Sequence, residues 1–287
     1  MSELIVSGDS WSFGSEIIDP SFKNKDIIDW DECNDEYRTS NIWPNILSNE
    51  LKFDRLKNLS FPAISNDRIT RSLVNYITKY YLYEDKPTDD IFVIVGLSSP
   101  ERKEFFYKDN QGTWVTLWPA WEHNYSEHVG MSDFAKSYIC YFNNVEEYLN
   151  RYVNQIYYLQ NFFKANNIKY LIFQSFYQPT EFHNKINEWN DTPYITEWNT
   201  SFHGSGDTID SKYYMGSSEP EIWKLIDSTR FMNKNEKNHS FHGYLLEQQI
   251  KDNNSYFVGL HPNEKGHKIW SDKLTNYIVK NNLYRKQ

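Results

Sequence analysis

The stretch Ile91-Phe92-Val93-Ile94-Val95-Gly96 is the most distinctive segment of this 287-residue chain. It consists of five consecutive apolar residues followed by a glycine. A strand that is apolar at every position is buried on both faces, which is typical of a parallel sheet covered by helices. The segment therefore predicts a buried strand of an α/β fold.

Similar but shorter apolar runs lie on both sides of this strand, and amphipathic segments separate them. Further strands are predicted at residues 4–6, 58–61 and 170–173. Helices are predicted at residues 66–81, 145–165 and 265–279, because apolar residues recur there at three- and four-residue spacing. Strands that alternate with helices indicate a parallel sheet with helices on both faces.

Two long stretches do not follow this alternation. Residues near 110–130 and 178–243 are polar or aromatic without a clear period. Loops of this length in a compact domain are usually functional or disordered. We interpret both as insertions over the edge of the sheet where its strands end. The sequence has no internal repeat and no obvious linker, so residues 1–287 are predicted to form a single domain.

The composition excludes several classes of partner. With 39 acidic and 30 basic residues, the net charge is −9, and no basic patch suggests nucleic-acid binding. No apolar stretch approaches the ~20 residues that span a membrane, so no membrane partner is expected. There is no phosphate loop, dinucleotide fingerprint or metal-ligand spacing, so neither a cofactor nor a metal is predicted.

The N-terminus bears on where the protein works. It begins Met1-Ser2-Glu3, without the charged and apolar regions of a signal peptide. We therefore expect a cytoplasmic protein, with association with a virion as an alternative. The oligomeric state is left open.

The first strand is followed directly by Gly8-Asp9-Ser10. In open α/β sheets, ligands bind beyond the carboxyl ends of the strands, where Ser10 is expected to lie. A serine there could act as a nucleophile, and its backbone N–H could stabilise an oxyanion. The alternative is that Asp9 and Ser10 only cap a short helix.

A base for such a serine is found near the C-terminus. His261 lies in the segment Gly259-Leu260-His261-Pro262, just before the last predicted helix. A serine hydroxyl is a weak nucleophile and needs an adjacent base, which is usually histidine. The alternative is a structural histidine.

Four segments together resemble the SGNH/GDSL hydrolase family. They are residues 8–14, 58–67, 96–98 and 261–267, and they occur in the order of that family's conserved blocks. The resemblance implies a flavodoxin-like three-layer α/β/α fold and ester hydrolysis, often the deacetylation of carbohydrates. It also implies that Ser10 and His261 act as a pair.

The oxyanion hole departs from the family pattern at two positions. The family's second block has a glycine that donates a backbone N–H, and the matching residue here is Ala63. The third block has an asparagine, and the matching residue here is Ser98. Asn66 or Arg102 could replace the missing donor, with a helix cap and a surface ion pair as the alternatives. Asp9 and Arg102 are further candidates for support of the site.

The acid of the family's catalytic triad is also missing. It usually lies two or three residues before the histidine, where this chain has Gly259 and Val258. Asp252, Asp207 and Glu264 are unranked candidates for an orienting carboxylate. A Ser–His dyad or a backbone carbonyl are the other possibilities.

The leading hypothesis is a serine esterase that acts on a small ester, such as an O-acetyl group of a carbohydrate. Trp11, Trp114, Trp118 and Trp121 are candidates for the walls of its groove. The alternatives are a non-catalytic carbohydrate-binding or virion-associated module on a degenerate fold, and a sugar O-acyltransferase.

Overall fold

The computed structural model describes residues 2–22, 27–108, 112–118, 130–141, 145–176, 221–234 and 240–284. Its strands are β1 (Glu3–Ser7), β2 (Arg55–Asn58), β3 (Ile91–Leu97), β4 (Lys103–Tyr107), β5 (Thr113–Leu117), β6 (Lys169–Gln174), β7 (Phe257–Val258) and β8 (His261–Pro262). Its α-helices are α1 (Ser10–Phe13), α2 (Glu32–Asn41), α3 (Trp43–Glu50), α4 (Asn66–Ile77), α5 (Met131–Tyr141), α6 (Val145–Ala165), α7 (Phe241–Asp252) and α8 (Glu264–Lys280).

The central sheet is parallel and has the strand order β2-β1-β3-β6. Its first strand along the chain therefore lies between the second and the third, which is the order of flavodoxin-like sheets. A single parallel bridge from Ile172 to Phe231 extends the sheet beyond β6. The predicted α/β fold with a central parallel sheet is confirmed.

The sheet is buried on both faces by two separate apolar clusters. On one face, Ile5, Val93 and Ile172 pack with residues of α4 and α6. On the other face, Val6 and Ile94 pack with residues of α3, α7 and α8. Successive side chains of a strand point to opposite faces, so an uninterrupted apolar run supplies both clusters. The result is the predicted three-layer arrangement.

Two predicted elements have different bounds in the structure. The second strand was predicted at residues 58–61 but is Arg55–Asn58, and this prediction was wrong by three residues. Its side chains alternate between exposed and half-buried, because β2 is an edge strand, so it lacks the apolar run that marks the central strands. The helix predicted at 66–81 is α4, continued by a π-helical turn at Thr78–Leu82.

Several elements were not predicted. Residues 113–117, within the stretch taken as an insertion, form β5 and pair with β4 in an antiparallel hairpin. Helices α2, α3, α5 and α7 were also missed. Of the second predicted insertion, residues 178–220 and 235–239 lie outside the described residues. No helix in the described ranges is long and apolar enough to cross a membrane.

His267, in the first turns of α8, is a structural residue of the second cluster. It is fully buried, and its Nδ1 accepts a hydrogen bond of 3.3 Å from the backbone N–H of Trp43. An acceptor nitrogen is an unprotonated one. Burial lowers the pKa of His267 to about 3. The imidazole is therefore neutral in the folded protein and joins α8 to α3.

This histidine should make stability depend on pH. Between pH 6.5 and about 3, the unfolded chain binds a proton that the folded His267 does not, so stability falls as the pH falls. From pH 7 to pH 5, we expect the wild type to lose about 2 kcal/mol more than His267→Gln. Urea unfolding at both pH values measures this, and equal losses in the two proteins would contradict it.

Candidate active site

A close approach of two strand ends forms the floor of the site. Gly8 follows β1 and Gly96 lies near the end of β3. Ser12 of α1 occupies the space above both: a Cβ atom on Gly8 would lie 2.5 Å from Ser12 Oγ, and one on Gly96 would lie 2.8 Å from it. Both distances are shorter than real Cβ contacts. The two glycines therefore allow α1 to lie directly on the sheet.

Helix α1 presents Ser10 at its first position. Asp9 is the N-cap, and its Oδ1 accepts a hydrogen bond of 3.0 Å from the N–H of Trp11. The N–H groups of Ser12 and Phe13 donate to the carbonyl of Asp9. The N–H of Ser10, at the first helical position, has no acceptor within the helix and is available to an oxyanion. The Ser10 residue is 6% exposed.

Ala63 has a backbone conformation that favours glycine. Its φ angle is 58°, in the left-handed region, which costs a residue with a Cβ about 1 kcal/mol or more. A glycine, which SGNH/GDSL hydrolases have at the matching position, would adopt this conformation without that cost. Position 63 thus has the backbone conformation that glycine adopts most easily, and the Ala63 N–H is kept.

Two hydrogen bonds join the side chain of Asn66 to the backbone of Ser98. Asn66 Nδ2 donates to the carbonyl of Ser98 at 2.9 Å, and Asn66 Oδ1 accepts from the N–H of Ser98 at 2.8 Å. The hydroxyl of Ser98 accepts from Arg102 Nη1 at 3.0 Å. Both Asn66 and Ser98 are almost fully buried. In these bonds the hydroxyl of Ser98 acts only as an acceptor, and Asn66 Nδ2 uses one of its two hydrogens.

Arg102 is a buried cation beneath the site. It is 5% exposed, and its guanidinium lies 4.3 Å from the centre of the Trp118 ring. Burial raises the pKa of Asp9 above its usual range, and the charge of Arg102 is the largest opposing effect. Arg102 acts in the same way on Glu101, whose pKa burial also raises. The charge of this guanidinium thus offsets part of the burial cost of two carboxyl groups, together with the hydrogen bond from Ser99 to Glu101.

His261 reaches this edge of the sheet from the other end of the chain. It lies on the short strand β8, which contacts α1 and pairs with β7, with Val258 directly opposite His261. The His261 side chain is 20% exposed. It interacts electrostatically with Asp9, the residue next to Ser10. The structure therefore brings His261 into the neighbourhood of Ser10.

Glu16 also lies at this place, and the sequence analysis did not identify it. Its Oε2 is 3.1 Å from Nδ1 of His261 and accepts a hydrogen bond of 3.0 Å from the N–H of Leu260. The carboxylate lies off the direction of the ring N–H, so the contact with His261 has the distance but not the alignment of a hydrogen bond. No local sequence pattern marks Glu16.

Of the three acids proposed from the sequence, the two in the described ranges have other hydrogen-bond partners. Asp252 is hydrogen-bonded to the hydroxyl of Tyr256 and to the N–H of Asn254. Glu264 accepts a hydrogen bond of 3.0 Å from the hydroxyl of Tyr37. Asp207 lies outside the described residues. Among Asp252, Glu264 and Glu16, Glu16 is therefore the one placed against the imidazole.

The tryptophans proposed as groove walls lie in different environments. Trp11 is 2% exposed and packs edge-to-face on Phe176 and Phe241, so its prediction as a groove wall was wrong. Trp114 is 44% exposed on β5, and Trp118 covers Arg102. Trp121 lies outside the described residues. No group of three or more His, Cys, Asp or Glu in the described ranges is arranged to hold a metal ion.

A family model matches more than half of the chain. It is the Family of unknown function (DUF6071), and it covers residues 25–192. The chain belongs to the DUF6071 family. The part of this DUF6071 chain that is matched includes Ala63, Ser98 and Arg102, whereas Ser10 and His261 lie outside it. No curated protein matches the chain.

Solved structures similar to this DUF6071 member are esterases and lipases. The psychrotrophic esterase EstA from Pseudoalteromonas sp. is 12% identical, with a TM-score of 0.44 and 98% of each chain covered. A member of the lipolytic protein G-D-S-L family from Veillonella parvula DSM 2008 is 10% identical, with a TM-score of 0.40 and coverage of 98% of this chain and 97% of that one. Phospholipase A1 from Streptomyces albidoflavus NA297 is 11% identical, with a TM-score of 0.41 and coverage of 98% and 99%. At such identities and TM-scores, these likenesses add nothing to the geometry described above.

The buried charges of this DUF6071 site should be energetically coupled. Arg102→Met removes the cation that compensates Asp9 and Glu101, so we expect it to lower the free energy of unfolding by about 3–5 kcal/mol. Asp9→Asn in that background removes one uncompensated carboxyl group and should recover part of the loss. Urea unfolding of the two single variants and the double variant measures the coupling.

Arg68→Met is the matched control for this cycle. The guanidinium of Arg68 lies 4.8 Å from the centre of the exposed Phe61 ring, so its loss should cost about 1 kcal/mol or less. If the changes in unfolding free energy of Asp9→Asn and Arg102→Met simply added up in the double variant, the coupling would be contradicted.

Proposed function

We propose that this chain is a serine ester hydrolase of the SGNH/GDSL type, with Ser10 as the nucleophile and His261 as its base. The observation that carries the proposal is the convergence of residues 9–16 and 258–261 at the carboxyl edge of the sheet. They are about 245 positions apart in the sequence, yet Glu16 contacts both His261 and the N–H of Leu260. A histidine next to a serine at a strand end is the arrangement that activates a hydroxyl.

The reaction would form an acyl-enzyme. Nε2 of His261 takes the proton of the Ser10 hydroxyl as Oγ attacks the carbonyl carbon of the ester, and the electron pair of the C=O bond moves onto its oxygen. When that pair returns, the bond to the alcohol breaks, and the alcohol leaves with the proton from His261. Water repeats the sequence at the acyl-serine, which releases the acid and regenerates Ser10.

The oxyanion would be held by backbone groups. The N–H groups of Ser10 and Ala63 are the proposed donors, because both belong to turns that begin at strand ends and neither depends on a side chain. Asn66 fixes the backbone of Ser98, and Arg102 fixes its hydroxyl. We assign these three residues to the support of the hole, and the hydroxyl hydrogen of Ser98 and the second amide hydrogen of Asn66 are further candidate donors.

The proposed substrate is a small ester, most specifically an O-acetyl group on a carbohydrate. A nucleophile whose residue is only 6% exposed favours a small acyl group. The carbohydrate part rests on the sequence resemblance to SGNH/GDSL hydrolases.

The proposal predicts activity that depends on Ser10. Wild-type protein should hydrolyse p-nitrophenyl acetate and react with a fluorophosphonate probe. Ser10→Ala should abolish labelling and lower kcat/KM by about 10³-fold or more, and His261→Ala should lower it by a similar factor. Steady-state kinetics and in-gel fluorescence measure both effects.

The control is Ser15→Ala. Ser15 is a buried serine just after α1, and its loss should leave labelling unchanged. A wild-type protein that is inert to both reagents would favour a non-catalytic carbohydrate-binding module instead. Acetylation of an added sugar acceptor at the expense of hydrolysis would favour an O-acyltransferase.

A further inference from the structure

The imidazole of His261 needs an acceptor at Nδ1 if Nε2 is to serve as a base. Such an acceptor keeps the proton on Nδ1 and stabilises the imidazolium that forms during catalysis. SGNH/GDSL hydrolases have their acid at positions that correspond to Val258 and Gly259, and neither of these side chains can accept a hydrogen bond. Nδ1 of His261 is buried, so bulk water is not its partner.

The carboxylate of Glu16 fills the space next to this nitrogen. Its Oε2 lies 3.1 Å from Nδ1 of His261. Asp9 and His267 also interact electrostatically with His261. Oδ1 of Asp9, however, accepts a hydrogen bond from Trp11, and His267 is neutral. Glu16 is therefore the acid in direct contact with the ring.

Gly259 makes room for this carboxylate. Its φ angle is 52°, and a Cβ atom built on it would lie 2.4 Å from Oε2 and 2.7 Å from Oε1 of Glu16. No side chain at position 259 is compatible with Glu16 where it now lies. Gly259 thus leaves no carboxyl group at one of the acid positions of SGNH/GDSL hydrolases. The same glycine makes space for Glu16, an acid from another part of the chain.

The backbone of Glu16 is held in an unusual conformation. Its φ angle is 66°, which is uncommon for a residue other than glycine. Its N–H donates to Oδ2 of Asp29 at 2.9 Å, and the carbonyl of Asp29 accepts from Nδ2 of Asn34 at 3.1 Å. Strained residues held by their surroundings in this way are concentrated at functional sites.

We infer that Glu16 is the positioning carboxylate of the site and takes the place of the missing triad acid. This inference rests on the proposed function, in which His261 is the base. Glu16 places its negative charge 3.1 Å from Nδ1 of His261, which favours the proton on Nδ1, directs Nε2 to Ser10, and stabilises the positive charge after proton transfer. The acid thus comes from the segment that follows the nucleophile and not from the segment that precedes the histidine.

Glu16→Gln tests this role, because it removes the charge and keeps the size of the side chain. Glu16 is 42% exposed, so water should compensate part of the loss. We expect kcat for p-nitrophenyl acetate to fall by about 10²-fold, less than for a buried acid, with KM nearly unchanged.

Two further variants make the test specific. Val258 is the cross-strand neighbour of His261, so Val258→Asp places an acid beside the same ring. In the Glu16→Gln background it should recover about 10-fold of the lost kcat. Glu264→Gln removes a nearby acid that is bonded to Tyr37, and it should leave the kinetics unchanged. A Glu16→Gln protein with wild-type kcat would overturn the inference while Ser10 labelling still stands.

A measurement without substrate covers the case in which the protein is not an esterase. In ¹H–¹⁵N NMR spectra of the histidine side chains at pH 8, wild-type His261 should carry its proton on Nδ1. In Glu16→Ala the proton should move largely to Nε2, the form that free histidine prefers. The same tautomer in both proteins would overturn the role of Glu16, whatever the activity.

Discussion

The packing of Ser12 against Gly8 and Gly96 is the constraint on which the site depends. Because neither strand end carries a Cβ there, α1 lies directly on the sheet, and Ser10 is held at the edge where β1 and β3 end. The parallel register then brings the loops after β1, β2 and β3 to one place. These loops carry the proposed nucleophile, the left-handed Ala63 and the Asn66–Ser98–Arg102 group. The close packing of α1 on the ends of these two strands thus determines where the chemistry would occur.

The other half of the site depends on the fit between Glu16 and Gly259. The glycine leaves space for the carboxylate, and the carboxylate in turn contacts the N–H of Leu260 and the ring of His261. Beneath both halves, Arg102 compensates the buried Asp9 and Glu101. Burying charged groups costs desolvation free energy, and their interactions become favourable only when the geometry is maintained. The buried central strands β1 and β3 provide that geometry.

The fold was more predictable than the site. The apolar runs of β1, β3 and β6 and the periodicity of α4, α6 and α8 depend on local sequence, and they sufficed to predict a covered parallel sheet. Edge strand β2 was misplaced because only half of its residues face the core. Strand β5 was missed because it lies in a stretch, residues 110–130, whose polar and aromatic residues have no clear period. Ser10 and His261 could be proposed because their neighbours form recognisable motifs. Glu16 could not, since its role depends on a contact across about 245 residues and on the φ angle of a glycine.

The central claim is that Ser10 is a nucleophile activated by His261. The most direct measurement is a crystal structure of the protein after reaction with a fluorophosphonate. The account predicts phosphorus bonded to Ser10 Oγ, with a phosphoryl oxygen about 3 Å from the backbone nitrogens of Ser10 and Ala63. Unmodified Ser10 after prolonged exposure, or an adduct on another residue, would contradict it.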